Sequence, residues 1–168
     1  MLNLDQKIIN FLDNYFKAKY EIAKASEDAS FRKYYRAFFK DKTYVVMAAP
    51  PDKEPIDQFI FLAKSLKEKN INAPQLFEVN PNLGVVIMQD LGMTSLLEFF
   101  NDSNYQEDQM FDKLIQLIYQ MQLNCSGFII NSYDNKKLKD ELDLFHTWYL
   151  KNTNFDQAKL FEIYSYLI

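Results

Sequence analysis

The sequence predicts an α+β fold: a five-stranded antiparallel sheet with one inserted helix, followed by helices alone. Three observations carry this reading. β-branched and aromatic runs separated by turn residues are confined to residues 20–89. One amphipathic stripe at helical spacing, Ile56, Phe59, Ile60, Ala63 and Leu66, interrupts those runs after the third. Beyond Gly92 the apolar residues recur at helical spacing only.

The elements follow in order. Leu4, Ile8, Phe11, Leu12 and Tyr15 share one face of a first helix over residues 4–16. Tyr20–Ala25, Phe31–Phe39 and Thr43–Ala49 read as a three-stranded meander. The polar Ser26–Ser30 stretch joins the first two strands, and Lys40-Asp41-Lys42 suits a tight turn between the last two. Pro50, Pro51 and Pro55 end the third strand. Pro55 suits a first helical turn, where its missing N–H is no loss, and the helix fades near Asn70. Ala73–Val79 reads as a fourth strand with Pro74 at its edge. Asn80–Gly84 has turn chemistry with proline second, and Val85–Met88 is a fifth, buried strand.

In the helical half, Ser95 with Glu98 and Ser103 with Gln106 have capping-box spacing. Phe111, Leu114, Ile115, Ile118 and Met121 form one stripe, Leu138, Leu142, Phe145 and Tyr149 another, and residues 156–168 suit a third helix. The change of character near Leu91–Thr94 divides the chain into 1–91 and 92–168.

Composition bounds the function. With 168 residues, 48% of them apolar, the chain can fold as one domain or two small lobes. A net charge of −4 argues against nonspecific nucleic-acid binding, which needs a basic face. The lone Cys125 rules out an internal disulfide and a cysteine-pair zinc site, and suits a small buried hydrophobe. The lone His146 suits a surface or core-edge position. The first residues lack the pattern of a signal peptide. No run approaches the roughly 20 apolar residues of a membrane span. The expectation is a soluble, cytoplasmic chain.

Four stretches sharpen the picture: DASFRKYYR at residues 28–36, VVMAAPPDKE at 45–54, VVIMQDLG at 85–92 and ELDLFHTWYL at 141–150. In this order and spacing they resemble the protein-kinase-like aminoglycoside-phosphotransferase superfamily. Within it, they are most similar to the cell-wall sugar kinases that phosphorylate the anomeric hydroxyl of N-acetylmuramate and N-acetylglucosamine. The resemblance covers about residues 20–150. It implies a strand lobe followed by a helical lobe, with ATP between them, magnesium as cofactor, and an amino sugar as acceptor, serving cell-wall recycling.

The resemblance also implies site residues. Ser26–Phe31 corresponds to the phosphate loop, with Ser30, Phe31 and Arg32 nearest the phosphates. Protein kinases use glycines there; this chain has glycine only at 84, 92 and 127, and carries Glu27 and Asp28 in the loop. Met47 occupies the place of the kinase lysine, and Ala48 departs from the acidic residue of the sugar-kinase branch. Lys53 lies just beyond and has the length to reach in, although such a residue is more often a solvated loop residue. Met88-Gln89-Asp90-Leu91 corresponds to the hinge: the Gln89 carbonyl and the Leu91 N–H face adenine, and Met88 borders it. Glu141 and Trp148 are weaker candidates for sugar contact, since aromatics at helical spacing more often pack in cores.

A kinase-like catalytic loop contains His-x-Asp and a following Asn, with a second Asp later. None of these motifs occurs in the sequence, where His146 is followed by Thr147-Trp148. No catalytic residue and no metal ligand is therefore assigned. The expectation is the N-terminal part of a kinase, truncated before its catalytic loop and with an incomplete helical lobe, inactive alone. Leu117, Leu123, Phe128, Ile129 and Ile130 should then be exposed and favour self-association. A regulatory module of kinase-like shape, or a subunit complemented by a separate catalytic half, are the alternatives. Choline or homoserine are alternative acceptors.

Overall fold

The computed structural model describes residues 4–27, 30–101, 107–128 and 133–167. A helix, α1 (Gln6–Phe16), precedes a three-stranded meander of β1 (Glu21–Glu27), β2 (Lys33–Phe39) and β3 (Lys42–Ala48). Helix α2 (Asp57–Glu68) is inserted before β4 (Leu76–Asn80) and β5 (Val85–Gln89). All four strand pairings are antiparallel, in the order β1-β2-β3-β5-β4. The helices α3 (Leu96–Phe100), α4 (Glu107–Asn124), α5 (Asn135–Leu144) and α6 (Gln157–Leu167) follow, with a π-helical turn at Phe145–Tyr149. The predicted five-stranded antiparallel sheet with one helix after the third strand is the observed one.

Each face of the sheet is covered. Successive residues on a strand point to opposite faces, so Val46, Val85 and Ile87 meet Leu12 and Phe16 of α1. Met47, Val86 and Met88 meet Ile56, Phe59 and Ile60 at α2. Strand β5 thus buries both faces, with four consecutive buried residues. That is why it reads as an unbroken apolar run instead of an alternation.

Local chemistry fixes the ends of elements. The Asp5 carboxylate caps α1 by accepting from the Lys7 N–H at 2.8 Å. Lys17 closes that helix in the left-handed region at φ 52°, its N–H reaching Asp13 O at 2.9 Å. At the end of the Asn80–Gly84 turn, Gly84 has φ +65°, and an added Cβ would lie 1.8 Å from the Ala49 carbonyl oxygen. No side chain fits there.

Pro55 departs from expectation. It lies outside the first helical turn, because Ile56 takes the capping position and offers no side-chain hydrogen bond. Ile56 is 1% exposed in the core, so packing there outweighs a polar cap. The fourth strand starts at Leu76 rather than Ala73, although the Gln75 carbonyl already accepts from the Gln89 N–H at 2.8 Å. The Ser95–Glu98 capping box forms in both directions; the Ser103–Gln106 pair lies outside the described residues.

The chain separates into two compact units, Met1–Phe128 and Ile129–Ile168. In the second, the Tyr164 hydroxyl donates to the Leu142 carbonyl at 2.6 Å and ties α6 to α5. His146 is half-buried, with Phe155 and Phe161 ring centroids at 6.4 and 6.1 Å. Cys125, in the first unit, is half-buried and not enclosed.

Candidate functional site

The site is built at the end of β5, where the buried strand emerges as Asp90-Leu91-Gly92. Arg36 of β2 lies opposite Val45 of β3, which lies opposite Met88 of β5. Asp90 follows Met88 by two residues, on the same face of the sheet, and the Arg36 and Asp90 side chains meet across β3. Arg36 Nε donates to Asp90 Oδ2 at 2.6 Å and Arg36 Nη2 to Oδ1 at 3.1 Å. The same Nη2 donates to the Gly92 carbonyl at 2.9 Å, and the Gly92 N–H returns to Asp90 Oδ1 at 3.0 Å. Gly92 adopts φ +112°, which closes this turn.

The pair is largely withdrawn from water, with side chains 16% and 4% exposed. Hydrogen bonding from Arg36 holds the Asp90 carboxyl below its ordinary value; burial opposes this, and bonds from the Gly92 N–H and the Thr43 hydroxyl reinforce it. Between the two anchored residues, Leu91 is 67% exposed. None of the hydrogen bonds among the described residues engages its N–H.

The other candidates fall into groups. Met47 and Met88 share the α2-side core and have 0% and 4% exposure, so neither presents free surface. Gln89 binds Gln75, the residue before β4, at both levels: its N–H reaches Gln75 O at 2.8 Å, and its side-chain oxygen accepts from the Gln75 N–H at 3.2 Å.

At the start of β2, the Ser30 hydroxyl accepts from the Arg32 N–H at 3.1 Å. Arg32 Nε lies 2.7 Å from Glu54 Oε1 as an ion pair whose N–H direction misses hydrogen-bond geometry. The guanidinium sits 5.7 Å from the Phe59 ring centroid. Phe31 is exposed, with the Lys53 ammonium 4.9 Å from its ring centroid. Lys53 and Glu54 therefore tie the Pro50–Glu54 stretch to the residues just before β2, while Lys53 itself stays exposed. Asp28 and Ala29 of the expected phosphate loop lie outside the described residues.

Glu141 and Trp148 belong to the second unit. Glu141 pairs with Lys137 at 3.0 Å one helical turn away. Trp148 and Tyr149 are 73% and 75% exposed, contrary to the core role that their spacing favours. Both lie in a turn wider than an α-helical one, where the Leu150 N–H bonds to Phe145 O, five residues back, at 3.2 Å.

A cavity of about 610 Å³ lies on the α1 face, bordered by Leu12, Asp13 and Tyr20, and takes no part in the hinge. Among the described residues, no group of three His, Cys, Asp or Glu side chains is placed to hold a metal ion. No described helix is long and apolar enough to cross a membrane.

Sequence reading missed the Arg36–Asp90 contact. The available signal was one charged residue in each of two apolar runs, YYRAFF and VVIMQD. A separation of 54 residues hid the pairing.

No protein-family profile matches the chain. Curated relatives do. The Pseudomonas aeruginosa N-acetylmuramate/N-acetylglucosamine kinase is 32% identical over 130 residues, 77% of this chain and 38% of the relative. The Pseudomonas putida kinase of the same name is 30% identical over 75% of this chain and 37% of its own length. The Neisseria meningitidis kinase of that name is 26% identical over 93% of this chain and 49% of its own length. The chain thus spans half or less of these relatives. A solved Ralstonia eutropha protein, provisionally described as an aminoglycoside phosphotransferase, superposes with a TM-score of 0.57 at 10% identity, covering 90% of this chain and 49% of that one. This last likeness shows the fold. Over most of its length the chain is a homologue of kinases bearing the amino-sugar name, on an aminoglycoside-phosphotransferase-like fold.

Proposed function

We propose that residues 1–91 form the ATP-binding strand lobe of an amino-sugar phosphotransferase, and that residues 92–168 begin its helical lobe. The observation that carries this reading is the hinge: a buried strand ends in an anchored turn whose exposed Leu91 has an N–H that no hydrogen bond among the described residues engages. Adenine presents an acceptor, N1, beside a donor, the 6-amino group. The Leu91 N–H and the Gln89 carbonyl are the matching pair. Met88 and Met47 back this edge from the apolar core.

At the other end of the nucleotide, Ser30, Phe31 and Arg32 take the phosphates, with Arg32 exchanging Glu54 for a phosphate oxygen. Such charge-assisted contacts compensate for the lack of glycine in the loop. The described residues do not fit a magnesium site, so no step is assigned to the metal here. The names of the relatives support N-acetylmuramate or N-acetylglucosamine as acceptor. Trp148 offers an exposed ring for a sugar face and Glu141 a carboxylate for its hydroxyls.

A group that orients the attacking hydroxyl is needed for phosphoryl transfer. With no His-x-Asp in these 168 residues, the polypeptide by itself is expected to bind nucleotide without turning it over. Calorimetric titration with ATP tests the first half; absence of saturable binding would sink it. An assay with ATP, magnesium and each amino sugar tests the second, and phosphorylated sugar above background would overturn it.

A further inference from the structure

We infer that Arg36 is a positioning residue: its fork on Asp90 and Gly92 fixes the direction in which the Leu91 N–H meets the nucleotide base. The inference rests on the nucleotide reading above but adds a residue to it.

Four hydrogen bonds carry it. Two join the Arg36 guanidinium to the Asp90 carboxylate, one joins it to the Gly92 carbonyl, and one returns from the Gly92 N–H to Asp90. They hold the residues before and after Leu91 to one rigid planar group. The Leu91 side chain contributes little anchoring, being 67% exposed. Its backbone is thus aimed from both sides by a side chain rooted in β2. β2 is paired along its length with β3, whose other edge pairs with β5, so the anchor and the turn belong to one sheet.

Arginine suits this task and lysine does not. A guanidinium donates in fixed, coplanar directions and can serve the carboxylate and the carbonyl together. An ammonium keeps the charge but not the fork. The Asp90 side chain is 4% exposed, so water does not substitute for a lost bond as it would at the surface.

The test compares ATP with 1-deaza-ATP, which lacks only the acceptor facing the Leu91 N–H. The wild-type chain is expected to bind ATP about tenfold more tightly than 1-deaza-ATP, the scale of one hydrogen bond. Arg36→Lys is expected to bind ATP about tenfold more weakly than wild type, with the preference between the two nucleotides collapsing toward one. A purely structural Arg36 would leave that preference unchanged, because general loosening weakens both ligands alike. Thermal melting checks that each variant folds. Should Arg36→Lys not fold, Asp90→Asn carries the same measurement, with the same collapse expected.

An unaltered preference in the folded variant overturns the role of Arg36 while leaving nucleotide binding intact. Equal affinities in the wild type overturn the Leu91 contact and Arg36's role with it. Failure of the wild type to bind ATP overturns the nucleotide reading itself.

Discussion

Asp90 carries a carboxylate largely withdrawn from water at the start of an exposed turn, and it persists because Arg36 satisfies both of its oxygens. Breaking such a pair from one side leaves a buried, uncompensated charge. Its protonation is linked to folding. Arg36 holds the folded carboxyl below the ordinary value, so the unfolded chain takes up the proton first. The stabilisation is complete above the unfolded value of about 3.9 and is lost as pH falls through the lower folded value. Asp90→Asn removes this dependence. The stability difference between wild type and Asp90→Asn, from urea unfolding, is expected to shrink as pH falls from about 5 to about 2. A difference constant over that range would contradict the linkage. Neither member of the pair was legible as such in the sequence, because a contact between residues 36 and 90 depends on β3 lying between β2 and β5. The Glu54 partner of Arg32 was not legible either, since the two stand on separate stretches of the chain.

Secondary-structure elements were more legible than contacts. Each of the five strands carries its own signal: the charged turn at Lys40-Asp41, the proline-led turn before Gly84, the apolar run of β5. Helix α1 was legible from Leu4, Ile8, Phe11, Leu12 and Tyr15, but periodicity cannot say which face of a sheet it covers. The structure sets it against Tyr35, Ala37, Val46, Val85 and Ile87, opposite the α2 layer. Leu12 is its central contact, with 0% exposure. Leu12→Ala is therefore expected to destabilise the first unit by about 3 kcal/mol, combining lost transfer energy with a cavity. Urea unfolding measures it, and a loss below about 1 kcal/mol would mean that α1 is peripheral to the core. The π-helical turn at Phe145–Tyr149 escaped notice for the opposite reason. Leu138, Leu142, Phe145 and Tyr149 fit an α-helical stripe, and one wider turn leaves no compositional mark. Trp148 lies in that turn, so the weakest site candidate is also the one whose surroundings were least readable.

At the scale of the whole molecule, the strand layer and the helices after it differ in how well they are covered. The sheet has a helix on each face, whereas α4 carries Ile115, Ile118, Tyr119 and Leu123 at 62%, 57%, 57% and 55% exposure. The exposure expected of Leu117 and Leu123 is observed; Phe128 is only half-buried, its ring 6.2 Å from that of Phe61, and Ile129 and Ile130 lie outside the described residues. Apolar side chains so placed along one helix favour association, since contiguous exposed patches of this kind are uncommon on stable monomers. For the chain by itself the available partner is a second copy. Light scattering is therefore expected to show a mass that rises with concentration and falls in mild detergent. Ile115→Glu with Ile118→Glu places two charges one helical turn apart on that face. Both side chains are more than half exposed, so the substitutions should leave the first unit's unfolding midpoint nearly unchanged while shifting the mass toward the monomer. A wild-type chain that stays monomeric at high concentration would show that this face does not associate. A double variant that associates as before would place the contact elsewhere.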